Sequence, residues 1–390
     1  MPDRILLIAN AASVWTRELV RNVHVPLGQR VSLLSFDRPG KQAEALYAEF
    51  GTELILLGGE GGGTDKIVKA SQLFRFAVTH REAFDLVILH GPPHNVQALF
   101  LNAALRILNC PVYTVFWGSD IQAITASEAG KLQAVLRVST AVNLSTSAMR
   151  SDFKRLFPDS RLPVFEAKFG LSAFEYIDWA KAEYGRDRCL TELGLDPGKT
   201  CVAVGYNGGE QQQHVPAIRA LAALSDADRS RIQLLLHMGY KLDPAYTEKV
   251  RDAARRSGIS FSLITEALDF QAIAKLRTAT DIMLHAQTND AMSGTIRECV
   301  YAGAILVNPA WIRYEEFDAL QVDYVRYASF SELTDCAASL LRGDVRVDTE
   351  KNTAIMGKQY SWQAVRADWE KAMRFCVGTR RAAHEAEVAE

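Results

Sequence analysis

Thirteen short, nearly continuous apolar runs alternate with segments of helical spacing along most of this chain, and that alternation constrains its fold more than any single motif. The first series is RILLIAN, RVSLLSF, ELILLGG, DLVILHG and PVYTVFWG, extended by the weaker TAVNLST and PVFEAKFG to about Leu171. The second is TCVAVGYN, IQLLLHMGY, SFSLIT, DIMLHA, AILVNP and VDYVRY. Strands apolar on both faces belong to parallel sheets covered on both sides, and helical stretches such as VQALFLNAALRIL and PAYTEKVRDAARRS supply the cover. The expected fold is α/β: two facing doubly wound, Rossmann-like domains with a cleft between them, ligands binding outside the carboxyl ends of the strands.

The domains are expected at 1–172 and 196–359. A polar, aromatic-studded stretch, AFEYIDWAKAEYGRDRCLTELGL, and the turn DPGKT join them. Tyr360 to Val377 reads as an amphipathic helix with Trp362, Val365, Trp369 and Met373 on one face, and RRAAHEAEVAE after Thr379 reads as a frayed polar tail.

A chain of 390 residues is long enough for two cores. With 48% apolar residues, 23% charged residues and a net charge of −2, it carries no global electrostatic programme, so nucleic acid is not an expected partner. The arginines at Arg251, Arg255, Arg256, Arg380 and Arg381 read as solvated helix faces. The apolar run in MPDRILLIANAAS is too short for a signal-peptide core or a membrane span, which makes the cytoplasm the expected location. Cys110, Cys189, Cys201, Cys299, Cys336 and Cys376 have neither metal nor disulfide spacing and read as small buried hydrophobes. The one Asp-x-Asp, Asp226-Ala227-Asp228, follows a helix rather than a strand end, so no metal or other cofactor is expected.

Chemistry-bearing residues gather at the strand ends. His90-Gly91-Pro92-Pro93-His94 follows the fourth apolar run, and Trp117-Gly118-Ser119-Asp120 follows the fifth. His90, His94 or Asp120 could take a proton from an attacking hydroxyl; the plainer alternatives are that Asp120 caps a helix and the histidines satisfy loop backbone. In the second series, Gly205-Tyr206-Asn207-Gly208-Gly209 and then Gln211-Gln212-Gln213-His214 precede a helix, where glycines let backbone N–H groups approach a diphosphate. The cluster Gly58-Gly59-Glu60-Gly61-Gly62-Gly63 has Thr64 and Asp65 where a phosphate-binding loop needs Lys and a hydroxyl, and reads as a mobile loop.

The stretch NDAMSGTIRECVYAGAILVNPAW, Asn289 to Trp311, begins at another strand end. Ser293 is the expected N-cap, with Ile296, Cys299, Val300 and Gly303 as the buried stripe. Gly294 and Thr295 would then offer N–H groups to a phosphate, and Glu298, one turn in, could accept two hydrogen bonds from a ribose diol with Asp290 beside the sugar. The competing reading is an ordinary helix with a dipole-friendly acid near its start.

Two doubly wound halves, Asp290-x7-Glu298 at a strand-to-helix junction and the phrase CVYAGAILV together resemble a GT-B glycosyltransferase, in many families of which the junction is Glu-x7-Glu. That resemblance implies that Glu298 holds the nucleotide ribose and that the last helix crosses back to the first domain. More narrowly, VGYNGGEQQQHVPAIRAL, HMGYKLDPAYTEKVRDA and ALDFQAIAKLRTATDIML resemble, in order and approximate spacing, blocks of bacterial 4-acetamido-4,6-dideoxygalactose (Fuc4NAc) transferases, which use dTDP-sugars and polyprenyl-linked glycans. It implies that Asn207, His214, Gly239 and Tyr240 line a donor-nucleotide site and that Ser293, Gly294 and Thr295 hold its diphosphate. The function expected is transfer of a sugar from a UDP-, GDP- or dTDP-linked donor to a carbohydrate, lipid-linked or other hydroxyl acceptor. Peripheral contact with the inner face of a membrane is compatible with it, although no amphipathic basic helix supports that contact. The alternatives are a sugar-nucleotide epimerase or hydrolase on the same two domains, or a non-catalytic nucleotide-sugar-binding protein.

Overall fold

The computed structural model describes residues 1–58, 65–117, 119–122, 124–290 and 292–389. The glycine cluster from Gly59 to Gly63, with Thr64, and Gly118 in the fifth strand-end loop lie outside them.

All thirteen apolar runs form strands: β1 Arg4–Ile8, β2 Arg30–Ser35, β3 Glu53–Leu56, β4 Leu86–His90, β5 Val112–Val115, β6 Ala141–Asn143, β7 Val164–Phe165, β8 Thr200–Val204, β9 Ile232–His237, β10 Ser260–Ile264, β11 Ile282–Leu284, β12 Ile305–Pro309 and β13 Val325–Tyr327. They make two sheets, ordered β3-β2-β1-β4-β5-β6-β7 and β10-β9-β8-β11-β12-β13, and the described ladders are parallel. The strand order reverses between β1 and β4 in one sheet and between β8 and β11 in the other, which marks the carboxyl ends of those strands as ligand positions. Burial explains the continuous apolar runs: β4 and β9 are buried along their whole length, since helices cover both faces.

The chain divides into two compact units, residues 1–170 with 362–390, and residues 171–361. In the first, the closing helix Trp362–Ala389 sets Trp362, Val365, Trp369 and Met373 into the core formed by Ile5, Leu7, Tyr113 and their neighbours. Trp369 is fully buried and its indole N–H donates to the Lys168 carbonyl at 2.8 Å. This helix continues ten residues beyond Thr379, where the sequence predicts a frayed tail: a run rich in Ala and Glu has high helix propensity and extends a helix already anchored by packing.

In the second unit, the stretch expected to join the domains forms two helices, Ala173–Glu183 and Gly185–Glu192, whose Phe174, Ile177, Ala180, Cys189 and Leu190 are core residues. Arg186 fastens them to the sheet through Asp281, with Nε to Oδ1 at 2.6 Å and Nη2 to Oδ2 at 2.7 Å, the paired geometry that suits guanidinium and carboxylate. Two expectations need correction. Gly303 is the left-handed C-cap of helix Gly294–Ala302, φ +99°, rather than part of its buried stripe, because the backbone must leave the helix there. Cys110, in the turn before β5, and Cys336, on helix Phe330–Arg342, are only partly buried.

Candidate functional site

In the second unit the carboxyl ends of β8, β9, β11 and β12 carry a connected polar network. Tyr206, two residues past β8, donates its hydroxyl to Gln287 Oε1 at 2.6 Å and lies 3.3 Å from Asp290 Oδ1. Gln212 joins from the short turn Glu210–Gln212 in the same connection, donating to the same Gln287 oxygen at 2.7 Å and accepting from the Tyr206 N–H at 3.1 Å. Tyr314 donates to Asp290 Oδ2 at 2.5 Å, and the Ser293 N–H donates to that oxygen at 3.0 Å. Asp290 Oδ2 thus has two donors, with the Tyr206 hydroxyl beside Oδ1, and holds the entry loop of the following helix in place. Burial and the Asp290 charge both push the Tyr314 phenol well above its ordinary pKa, so it stays a donor.

Helix Gly294–Ala302 begins as the sequence predicts: Ser293 is the N-cap, its hydroxyl accepting from the Ile296 N–H at 3.4 Å, with Ile296, Cys299 and Val300 buried. The unexpected participant is Arg277, at the end of helix Phe270–Thr278. Its side chain is 4% exposed, its Nε donates to Glu298 Oε2 at 3.1 Å, and its Nη2 donates to Thr295 Oγ1 at 3.2 Å. Among the described residues no donor reaches the other carboxylate oxygen, Oε1, which lies 3.6 Å from where a Cβ on Gly294 would stand. One oxygen of Glu298 is therefore anchored from below, and the other stands over the helix start, on a side chain 16% exposed. Basic residues in a last helical turn ordinarily interact with the helix dipole in solvent, so the sequence carries no signal that Arg277 turns inward.

The remaining second-unit candidates lie around the same strand ends. Asn207 is buried and turns its own loop, Oδ1 accepting from the Gly209 N–H at 2.9 Å. That loop is tied to the next one, where the Gly208 N–H donates to the Tyr240 carbonyl at 2.6 Å while the Tyr240 ring is largely exposed. Gly239 has no alternative residue: a Cβ there would stand 1.8 Å from the Glu266 carbonyl oxygen. His214 opens helix His214–Ala222 fully buried, with Nδ1 3.3 Å from the Tyr246 hydroxyl. Burial lowers its pKa to about 4, so it is a neutral imidazole, and Gly205, φ +67°, is the residue that makes room for its Nε2.

In the first unit, His90 ends β4 beside two aromatic rings that also stack on each other, 4.0 Å from Trp117 and 5.3 Å from Phe169 between centroids. Burial, with a smaller contribution from His24, lowers its pKa to about 3, and among the described residues neither ring nitrogen has a hydrogen-bond partner. Asp120 folds back on its own loop, both carboxylate oxygens accepting from the Trp117 N–H at 3.0 and 3.1 Å. His94 is different: its side chain is 39% exposed, with Nε2 3.6 Å from Glu128 Oε1. Glu128 itself is fixed as the N3 acid of a capping box with Thr125, whose N–H it accepts at 2.7 Å.

The same strand ends enclose a cavity of about 670 Å³. Its lining comes from the ends of β1 and β2, the loop after β4, Trp117 after β5, and the helices Val14–Leu19, Asp65–Thr79 and Gln97–Leu108. It therefore spans the point between β1 and β4 where the strand order reverses.

No known family profile matches the chain, and no curated protein sequence matches it. Solved structures do. A glycosyltransferase from Rickettsia africae ESF-5 is similar over 96% of this chain and 98% of its own, with a TM-score of 0.73 at 13% identity. HepE of Anabaena, in complex with UDP and glucose, is similar over 95% and 99%, with a TM-score of 0.63 at 14% identity. A UDP-N-acetylglucosamine 2-epimerase is similar over 98% of both chains, with a TM-score of 0.57 at 13% identity. At such identities the likeness is one of fold, and the narrower resemblance to Fuc4NAc transferases gains nothing from it. Two parallel, Rossmann-like sheets of seven and six strands, with their helices, give this chain the architecture of GT-B glycosyltransferases.

Proposed function

We propose that the protein is a glycosyltransferase that moves a sugar from a nucleotide-diphosphate sugar, bound by the second unit, to a hydroxyl acceptor bound by the first. The observation that carries this reading is Glu298: one carboxylate oxygen is fixed by buried Arg277, and the other has no donor among the described residues and stands above a capped helix start. That is the arrangement a ribose diol needs as it lies beside a diphosphate held by the N–H groups of Gly294 and Thr295. Tyr206, Asn207, Gly239 and Tyr240 shape the surrounding rim with buried His214 packed behind them, and Asp290 orients the loop through its bonds from Tyr314 and the Ser293 N–H.

In the reaction, the acceptor oxygen forms a bond to the anomeric carbon as the bond from that carbon to the diphosphate breaks. The electron pair leaves with the diphosphate, whose growing charge the helix N-terminus stabilises, and the hydroxyl proton passes to a base. Of the three candidates, His94 suits that task best. Its side chain is 39% exposed and Glu128 lies beside Nε2, which leaves Nδ1, covered in this conformation, as the nitrogen that takes the proton once the ring turns; His90 is too weak a base with a pKa near 3 and Asp120 is engaged with its own loop. No metal ion enters this scheme. The donor is a UDP-, GDP- or dTDP-linked sugar; the UDP complex of a protein of the same fold supports a nucleotide-sugar donor.

A second reading, a sugar-nucleotide epimerase or hydrolase, draws on the likeness to a UDP-N-acetylglucosamine 2-epimerase. Incubating the protein with sugar nucleotides, with and without a glycan acceptor, separates the two. Turnover that depends on the acceptor supports transfer; turnover without it supports the second reading.

A further inference from the structure

Gln287, at the strand end in the middle of the second unit, is held on every side but one. It follows β11, where the strand order reverses between β8 and β11. Three hydrogen bonds pin the backbone there: Gln213 Nε2 donates to the Ala286 carbonyl, Trp311 Nε1 to the Gln287 carbonyl, and the Thr288 N–H to the Gln211 carbonyl, each at 2.9 Å.

The Gln287 amide is oriented by a chain of bonds that starts from a group unable to accept. The Tyr206 backbone N–H can only donate, so the Gln212 atom 3.1 Å from it is the amide oxygen. The Gln212 nitrogen therefore sits on the other arm, 2.7 Å from Gln287, and what it meets there is the Gln287 oxygen. That oxygen also takes the Tyr206 hydroxyl proton at 2.6 Å. Exchanging the oxygen and nitrogen of Gln287 would set two amide nitrogens against each other beside a fully buried Gln212 side chain.

The Gln287 nitrogen is what remains. Among the described residues it has no acceptor, and it is not one of the unpartnered atoms sealed inside the core; Gln287 is half-buried. An amide with its oxygen doubly bonded to the protein and its nitrogen free is a preorganised donor. The Tyr206 hydroxyl that binds its oxygen lies 3.3 Å from Asp290 Oδ1, but its single proton is committed to Gln287 at the shorter distance. The connected side chains of Tyr206, Gln212, Gln287, Asp290, Tyr314 and His285 hold one carboxylate and no cation, since burial keeps His285 neutral.

We propose that Gln287 is a specificity-determining residue for the transferred sugar, its amide nitrogen donating to a neutral oxygen of that sugar, a hydroxyl or an acyl carbonyl. This rests on the donor placement proposed above. With the ribose at Glu298, one turn into helix Gly294–Ala302, and the diphosphate at the helix start, the sugar lies beyond the diphosphate, toward the preceding loop that carries Gln287 and Asp290. A sugar hydroxyl suits both groups, accepting from Gln287 and giving its own proton to Asp290 Oδ1. A sugar carboxylate would face Asp290 with no cation to offset the repulsion.

The test is calorimetric titration of the full chain with UDP, dTDP and GDP, each bare, bearing a neutral hexose, and bearing the matching hexuronic acid. The readout is the affinity of each sugar nucleotide divided by that of its bare diphosphate, which cancels what the nucleotide itself contributes. Gln287→Glu keeps both internal bonds and replaces the free donor by an acceptor; Gln287→Met removes the amide without adding charge. Each is expected to lower the ratio for the neutral hexose about tenfold, the worth of one hydrogen bond, and the parent should bind the neutral hexose more tightly than the hexuronic acid. A Gln287 that only holds Tyr206 and Gln212 in place predicts a lower melting temperature in Q287M and an unchanged ratio in Q287E. An unchanged ratio in either variant, or a parent that prefers the hexuronic acid, overturns the proposal. Such a result with intact binding of a bare nucleotide sinks this inference alone, whereas no binding of any nucleotide sinks the donor site and this inference with it.

Discussion

Arg277 Nε and Glu298 Oε2 stand 3.1 Å apart, and the guanidinium is almost wholly buried beneath the start of helix Gly294–Ala302. A buried cation of this kind cannot exchange its partner for water, so the position of the Glu298 carboxylate is set by the core rather than by the surface.

Removing the cation should therefore do more than abolish a contact. Arg277→Met leaves a carboxylate that is only 16% exposed without its partner, and is expected to destabilise the protein by about 3 kcal/mol. The double variant Arg277→Met, Glu298→Gln should recover much of that loss, because no unpaired charge remains. Urea denaturation of the four proteins in this cycle measures it. Additive effects would mean that the two side chains do not act as a pair.

Gly239 and Tyr240 are neighbours with opposite expectations. A Cβ on Gly239 would meet the Glu266 carbonyl at 1.8 Å, so Gly239→Ala must displace backbone and should cost about 1–3 kcal/mol. Tyr240→Ala removes a ring that is 65% exposed and should change stability by no more than about 0.5 kcal/mol while weakening nucleotide binding. Thermal melts and nucleotide titrations of both variants check the pair; a stable G239A would contradict the packing.

Histidine burial predicts an acid limb of stability. His24, His214 and His237 have pKa values lowered to about 4 and His90 to about 3, each chiefly by burial. Their unfolded-state value is about 6.5, so between that pH and about 4 the unfolded chain binds more protons than the folded one, and stability falls as pH falls through this window. Above pH 6.5 these groups leave stability flat. Urea midpoints measured from pH 8 to pH 4.5 should show the decline starting near 6.5, less steeply in His214→Gln. A flat profile to pH 5 would mean that these rings are not buried in solution.

The architecture was legible because a parallel sheet covered on both faces demands apolar side chains at successive positions, so all thirteen strands announced themselves as continuous runs. Ser293 as a cap was legible for a similar reason: capping chemistry is local. Arg277 was not, because whether an arginine near a helix end faces solvent or core depends on a neighbouring helix distant in sequence. The same holds for Asp290, whose partners Tyr206 and Tyr314 lie 84 and 24 residues away. Gly303 was misassigned because a glycine at helical spacing fits both an apolar stripe and a C-cap, and only the backbone decides.

If Glu298 holds a ribose, Glu298→Gln should keep the fold, since the amide oxygen can still accept from Arg277, and should lower nucleotide affinity about tenfold through loss of charge-assisted hydrogen bonds. Equal affinity in E298Q and the parent would remove Glu298 from the site.

The most direct measurement is a thermal-shift screen of the purified protein against UDP, GDP, dTDP, CMP and ADP, repeated with Glu298→Ala, because a ligand bound only by the folded state raises its melting temperature. The account predicts that one diphosphate of uridine, guanosine or thymidine raises the Tm of the parent selectively and that the rise shrinks in the variant. No rise with any nucleotide at saturating concentration, or a rise that E298A leaves intact, would contradict it.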